Sequence, residues 1–434
     1  MKNTLKKIIT AIITLEAKFI LKKYKPKIIA VTGSVGKTST KDAIYTVLSH
    51  FFFVRKSEKS FNSDIGVPLT ILGSENAWSN PFLWIKNIVS GAMYVIFKMR
   101  YPKYLVLEVG ADRPGDIEKI AQWLKPNVAV VTRFAQLPVH VEFFASPKAV
   151  VEEKGHLVKN LKTDGLLVLN GDDDDVMSLR ELFRGSNVKT YGITNLSEVS
   201  ASNERVLYGE RNGKMVPEGV TFKVDFKGCS LPVSIKGSLG RQHVYPALAA
   251  ITVGLGEDLP PVAMAEALSL HESPNGRMKV IEGEKDSTII DDTYNSSPIA
   301  AAEALEVLKS LALLGRKIAV LGDMMELGKY SVPAHKDLGK GAAKIVDMLV
   351  TVGIRARDIA EGALSAGMDE KNILQFDSTK EASDFVEPMI KEGDILLVKG
   401  SQSVRLERFV EAIMYHPEDK EKLLVRQEKE WQKR

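Results

Sequence analysis

Apolar residues along the chain follow two alternating rhythms. Short runs of β-branched and aliphatic residues, IIAVT (28–32), YLVLEVG (104–110), VAVVT (128–132) and LLVLN (166–170), alternate with stretches whose apolar positions recur every three to four residues. Runs without internal polar alternation belong to strands covered on both faces, so this part predicts a mostly parallel sheet flanked by helices. Between about Glu198 and Gly240 the pattern changes to alternating strands broken at Asn212-Gly213 and Lys227-Gly228, which predicts an antiparallel patch joined by tight turns. Helices over 244–254 and 261–270 follow. From about Gly276 a second series begins: STIID, KIAVLGD, MLVTVG, ILQF and DILLVKGS, five strands separated by helical patterns. That series predicts a doubly wound, Rossmann-like domain, and with no G-x-G-x-x-G at its first strand no dinucleotide is expected there.

Two segments are more apolar than this scheme needs. In the first, Leu5, Ile8, Ile9, Ile12, Ile13, Phe19 and Ile20 fall mostly on one helical face with lysines around them. Glu16 and Lys18 interrupt it and no small-residue cleavage site follows, so it reads neither as a signal peptide nor as a membrane span. A helix packed on the body and a basic amphipathic helix on an anionic membrane both remain open. The second runs from Trp78 to Met99, broken by Lys86 and Lys98, and reads as a buried or interfacial helix; Trp78, Trp84 and Tyr94 would suit a headgroup boundary. The expected organisation is an N-terminal amphipathic helix (1–27), a central domain (28–275) carrying the apolar insertion 78–99 and the antiparallel patch 198–240, a C-terminal Rossmann-like domain (276–416), and a charged tail (417–434) forming a peripheral helix.

Composition narrows the chemistry. A chain of 434 residues, 44% hydrophobic and 26% charged, is ordinary for a globular protein of two or three domains. Its formal charge of +4 gives no reason to expect nucleic acid. The single cysteine, Cys229, excludes an internal disulfide and a cysteine-based zinc cluster and fits a reducing cytoplasm.

The strongest chemical signal is IIAVTGSVGKTSTKD (28–42): a strand, a glycine turn and a helix start. Thr32, Gly33, Ser34, Val35 and Gly36 form a loop whose backbone can fold around an anion, and the amides of the following helix, from Lys37, Thr38 and Ser39, point toward it. Lys37 supplies positive charge for the outer phosphates of a nucleotide, and Thr38 a hydroxyl for Mg²⁺. Gly33 stands only four residues before Lys37, where the ordinary P-loop has six. The fold class is therefore α/β, a central P-loop-type ATPase domain with a mostly parallel sheet plus the C-terminal domain. Glu108, at the end of a buried strand, needs either Mg²⁺ or a basic side chain as partner. The run Asp172 to Asp175 reads as a turn and helix start rather than a metal site. His140 lies in a loop, and Lys154 in a helix begun by Ser146-Pro147, where by itself it could equally be a solvated lysine.

Several of these segments together resemble the Mur ligases, the ATP-dependent amide ligases of peptidoglycan precursor synthesis, and within them the type that adds D-alanyl-D-alanine. TGSVGKTSTKD is similar to the family's ATP loop, FNSDIGVPLT to its asparagine-containing segment, LEVGADRPGDI to EMGA-RPGEI, VHVEFFASPKAVVEEKG to the AHLE-F-S segment ending in lysine, DDTYNSSP to DDSYNANP, and VKGSQSVRLE to VKGSRG-RME; LGDMMELG stands almost unchanged. The resemblance covers about residues 28 to 416. It implies that a substrate carboxylate attacks the γ-phosphate of ATP and that an amine then displaces phosphate from the acyl phosphate. It also implies two Mg²⁺ ions, ligated by Thr38, Glu108 and His140, with Lys154 carbamylated so that it too can ligate metal. Arg277 would reach the γ-phosphate, Asp292 the ribose, and Tyr294 and Asn295 the nucleotide; Asp323, Glu326, Lys399, Ser401 and Arg405 are candidates for gripping the incoming dipeptide. The partners implied are a muropeptide acceptor and D-Ala-D-Ala, in the cytoplasm, with a monomer expected and peripheral contact with the inner face of the membrane left open.

Three departures qualify that picture. The family's adenine segment reads Gly240-Arg-Gln-His-Val-Tyr-Pro246 here, so that His243 and Pro246 replace asparagines. Gln402 stands where an arginine is usual. Only 27 residues precede the ATP strand, which leaves no room for the family's UDP-binding domain and raises the expectation of a different acceptor, such as a lipid-linked muropeptide. A ligase of the cyanophycin or folylpolyglutamate sort, and a P-loop ATPase used as a switch, are the competing functions.

Overall fold

The computed structural model describes residues 3–58, 61–78, 80–111, 113–134, 144–194, 196–312, 314–428 and 431. Two sheets organise them. The first contains β1 (Lys27–Thr32), β2 (Val54–Lys56), β3 (Tyr104–Glu108), β4 (Val128–Val131), β5 (Leu166–Asn170), β6 (Val188–Gly192), β7 (Val199–Arg211), β8 (Lys214–Phe226) and β9 (Cys229–Lys236), in the spatial order β2-β3-β1-β4-β5-β6-β7-β8-β9. Pairing is parallel from β2 to β7 and antiparallel from β7 to β9. The expected turns close the two hairpins, with Asn212-Gly213 and Lys227-Gly228 all at positive φ. This pair of left-handed residues matches the twist of the flanking strands.

Strand periodicity splits the first core in two. On β1, Ile29 and Val31 face α2 (Lys37–Ser49) and α8 (Arg241–Gly256), while Ile28 and Ala30 face the layer containing α1 (Asn3–Tyr24), α3 (Gly66–Leu72), α5 (Asp116–Leu124) and α6 (Pro147–Lys159). The N-terminal segment is therefore part of the body: Ile9, Ile13, Ala17 and Ile20 of α1 are buried in that second layer. Burying each of the three isoleucines stabilises by about 1.5–3 kcal/mol. The apolar segment after Trp78 forms α4 (Pro81–Ile96), capped by the Asn80 side chain, and packs on α1 and α3 through Trp84, Asn87 and Gly91. It too is seated on the body, although its opposite face is exposed. No helix among the described residues is long and apolar enough to cross a membrane.

The second sheet has six strands where the sequence predicts five. β11 (Thr288–Asp292), β12 (Lys317–Gly322), β13 (Met348–Val352), β14 (Ile373–Phe376) and β15 (Ile395–Lys399) are parallel, and β10 (Lys279–Glu282) pairs antiparallel with β11 at the edge, giving the order β10-β11-β15-β12-β13-β14. The tail differs from expectation as well. After a 3₁₀ turn (Pro417–Asp419) and a single helical turn (Lys420–Leu423), the chain runs back across this domain and buries Leu424 and Arg426.

Main-chain pairing joins the two bodies where one leads into the other: Leu239 N donates to Met278 O and Val280 N to Gly237 O. A second junction lies at the tip of the β7–β8 hairpin. There Lys214 pairs with Asp286 (2.8 Å) and Glu392, Asn212 donates to Asp286, and Arg211 donates to Ser287 O.

Candidate active site

The strand-loop-helix at residues 28–42 folds as its pattern predicts. Gly33 has φ 143°, and a Cβ there would lie 2.0 Å from Thr132 Oγ1, so the loop can pass the end of β4 only as glycine. Thr132 and Arg133 pin it: Thr132 Oγ1 donates to Val35 O (2.7 Å), and Ser34 N donates to Arg133 O (2.8 Å). Gly36, left-handed at φ 83°, turns the chain into α2 without a side-chain cap, so the first-turn amides of α2 are presented to the cleft. Lys37 Nζ lies 3.3 Å from Ser34 O, folded over the loop.

Thr38 and Glu108 meet. The hydroxyl donates to Glu108 Oε2 (2.9 Å), and Asn62 Nδ2 donates to Oε1 (3.1 Å). Glu108 is buried at the end of β3, and its hydrogen-bond partners among the described residues are these neutral donors. A buried carboxylate beside a hydroxyl at a phosphate loop is an all-oxygen set of the kind Mg²⁺ takes. Lys154 is buried on α6 and lines the same cavity, of about 430 Å³, as Lys37, Thr38, Glu108 and Asn62. Its neighbour Glu153, which sequence reasoning missed, fixes α6: the carboxylate accepts from Gly115 N, Ile117 N and Glu118 N at the start of α5. Such a carboxylate satisfies orphan amides and complements the helix dipole. His140 lies outside the described residues.

The far wall of the cavity comes from the second body. Arg277 stacks 4.1 Å over the Tyr294 ring, and Asp292, Asn295 and Glu326 line the space beside it. Asp292 is held on both oxygens, one accepting from Met278 N (3.2 Å) and the other paired with buried Lys399 (2.6 Å). A larger cavity of about 1250 Å³ adjoins, sharing Val35, Gly36, Gln242 and Glu303 with the first and walled by Tyr245, Pro246 and Tyr191. Arg133 and Glu303 form an ion pair at their boundary.

A phosphate loop facing a second α/β body across such a cleft is matched in known proteins. Residues 31–82 and 88–254 match the Mur ligase middle domain, and residues 276–402 the glutamate ligase domain of the same ligases. The chain belongs to the Mur ligase family. It is 30% identical over 403 residues to a UDP-N-acetylmuramoyl-tripeptide--D-alanyl-D-alanine ligase of Bacillus subtilis, covering 92% of this chain and 79% of the relative. Among solved structures it is similar to MurF ligase from Thermotoga maritima in complex with ADP (TM-score 0.73, 25% identity, 93% of this chain and 83% of the other). It shares its fold with MurF from Acinetobacter baumannii (TM-score 0.75, 24% identity, 93% and 79%).

Within this Mur ligase, several residues expected at the dipeptide do other work. Asp323 accepts from Ala356 N (2.8 Å) and caps the turn after β13, Lys399 is committed to Asp292 and to Asn295 O, and Arg405 turns away to Glu407 and Trp431 O. Ser401 remains on the cavity wall, accepting from Met325 N. His243 also lines the cavity, but its Nε2 lies 2.9 Å from Arg277 O and its Nδ1 3.0 Å from Ser273 Oγ, so the ring ties α8 to the arginine segment. Burial lowers its pKa from 6.5 to about 4. Between those values the unfolded chain binds the proton that the folded chain refuses, so this ring's contribution to stability is present above pH 6.5 and lost as the pH falls. Buried Asp291, raised to about 6, acts in the opposite sense. The difference between wild type and His243→Asn isolates the ring: chemical denaturation should show wild type losing roughly 3 kcal/mol more than the variant on going from pH 6.5 to 4.

The tail reaches the Arg277 side of the Mur ligase cleft from behind. Arg426 is buried against Glu407 (2.8 Å) and donates to Thr293 O (3.1 Å) and Tyr294 O, bracing the loop against which Arg277 stacks. Arg426→Ala should destabilise by on the order of 3 kcal/mol, because it removes a partner from a buried carboxylate. It should also raise the KM for ATP more than it lowers kcat; thermal denaturation and ADP-release kinetics would check the two effects.

Proposed function

We propose that this Mur ligase joins D-alanyl-D-alanine to a muramoyl-tripeptide acceptor at the expense of ATP, in the cytoplasm. The observation that carries the reading is the convergence of Lys37, Thr38, Glu108 and Lys154 from one body and Arg277 and Asp292 from the other on one cavity. Lys37 and the α2 amides hold the outer phosphates, Arg277 neutralises charge on the γ-phosphoryl group, and the acceptor carboxylate attacks it in line. The amine of the dipeptide then adds to the acyl phosphate carbon, and phosphate leaves. Enclosure by the second body excludes water, to which the acyl phosphate would otherwise be lost. The adenosine end lies toward the larger cavity, along the wall formed by Gln242, Tyr245 and Pro246.

Thr38 and Glu108 would hold Mg²⁺, which when bound neutralises the β- and γ-phosphate oxygens. A second ion would fall to His140 and Lys154. An ammonium at Lys154 would repel that ion, whereas its neutral amine, formed by loss of one proton, would add CO₂ and shed a second proton to give a carbamate that attracts it. The test is ADP release with UDP-linked muramoyl-tripeptide and D-Ala-D-Ala, each omitted in turn. Release that needs both substrates supports the reading. Release at full rate without them would favour an ATPase switch, and release with glutamate and a folate in their place would favour the folylpolyglutamate type.

A further inference from the structure

Helices α1 and α4 are each apolar on two sides. The inner stripe of α1, Ile9, Ile13, Ala17 and Ile20, is buried, yet Leu5, Ile8, Ile12, Leu15 and Phe19 recur at spacings of three and four and are exposed. On α4 the face opposite Trp84, Asn87 and Gly91 carries Phe82, Ile85, Val89, Met93 and Ile96, with Phe82 80% and Ile96 70% exposed. A surface stripe of this kind on a globular protein is normally polar.

The two stripes adjoin. Glu16 lies one turn from exposed Ile12 and Phe19 and one turn from buried Ile13 and Ile20, at the boundary of the α1 stripes, and a Cβ on Gly91 of α4 would meet its Oε2 at 2.2 Å. At their C-terminal ends the helices are locked together: Lys23 Nζ donates to Tyr94 O and Val95 O in the last turn of α4 and to Phe97 O just beyond it, and Tyr24 OH lies within hydrogen-bond distance of Tyr94 O and Phe97 O. The exposed stripes are thus held as one rigid surface rather than on a loose arm. Burial raises the pKa of Glu16, the one acidic side chain in either helix, to about 7. Around the exposed stripes stand Lys7, Lys18, Lys22, Lys86 and Lys98.

We propose that the joined outer faces of α1 and α4 form a docking surface for an anionic lipid bilayer, on which the enzyme lies peripherally. Charge decides the occupant. A second copy of this chain would set lysines against lysines with no carboxylates to pair them, whereas acidic headgroups match the lysines and the acyl boundary accepts the leucine, isoleucine and phenylalanine side chains. With neither helix able to span, the contact is in the plane of the interface.

Co-sedimentation of the full chain with phosphatidylcholine vesicles, with and without phosphatidylglycerol, tests this. Binding should be tighter to the anionic vesicles by on the order of 100-fold and weaken as salt is raised. The double variant Leu15→Asp, Ile85→Asp changes two exposed side chains far from the cavity, so it should keep wild-type melting temperature and ADP release while losing vesicle binding. Lys22→Glu with Lys86→Glu should abolish the preference for anionic lipid. The proposal is overturned by equal sedimentation with and without phosphatidylglycerol, by vesicle binding that survives both variants, or by a lipid-free dimer that Ile85→Asp dissociates.

Discussion

Glu108→Gln should release ADP on the order of 10²- to 10³-fold more slowly than wild type at saturating ATP, with the melting temperature almost unchanged. The amide keeps the shape of the carboxylate, and Thr38 and Asn62 can still hydrogen-bond to it, one by reversing its role, so the β3 end has no reason to unfold. What is lost is the negative charge. That charge is hydrogen-bonded by a hydroxyl and an amide and is felt by buried Lys41 nearby, yet no cation is hydrogen-bonded to it among the described residues, which fits a divalent cation arriving with the nucleotide. The Mg²⁺ concentration giving half-maximal rate should therefore rise together with the fall in kcat. A slow variant whose Mg²⁺ dependence equals that of wild type would remove Glu108 from the metal set and leave it as a prop for Thr38.

Lys154→Ala should cost a similar factor, and the wild-type enzyme should slow in CO₂-free buffer and recover on addition of bicarbonate. The side chain is almost fully buried on α6, whose orientation is set independently by Glu153 at the start of α5, so truncation removes a functional group without releasing the helix. Circular dichroism would confirm that the fold persists. Wild-type turnover indifferent to CO₂ would make Lys154 a plain cation, serving phosphate rather than metal.

Which of these features could be read from sequence follows from how local the determinants are. The phosphate loop was legible because a strand, two glycines and Lys37-Thr38 occupy consecutive positions, and Glu108 because a lone carboxylate in YLVLE has to be explained. Edge strands β2 and β10 were not: VRK and KVIE are too short and too polar for periodicity to separate from loop, and their pairing is decided by the neighbouring strand. The dipeptide assignments for Asp323, Lys399 and Arg405 were poorly founded for a related reason. Strand ends facing a cleft are also where helix starts need caps and buried carboxylates need cations, and sequence does not say which demand a polar residue meets. The tail is mostly charged, with only the short apolar run Leu423-Leu424-Val425 to suggest docking, and Arg426 is buried against Glu407, nineteen positions earlier. For α1, the reading as a helix packed on the body is borne out by Ile9, Ile13, Ala17 and Ile20, while its outer stripe is exposed and membrane contact there is a proposal.

The hairpin tip formed by β7 and β8 has a mechanical consequence. It reaches over to the second body and is fastened there by Lys214, Asp286 and Glu392, all partly or largely open to solvent. Ion pairs in that setting are worth little each and are screened by electrolyte. Any swing of the Rossmann-like half has to unfasten this strut while pivoting on the main-chain pairing near Met278. Ionic strength would then act as a lubricant for domain opening, and an enzyme assayed at low salt would be paced by how quickly the strut lets go.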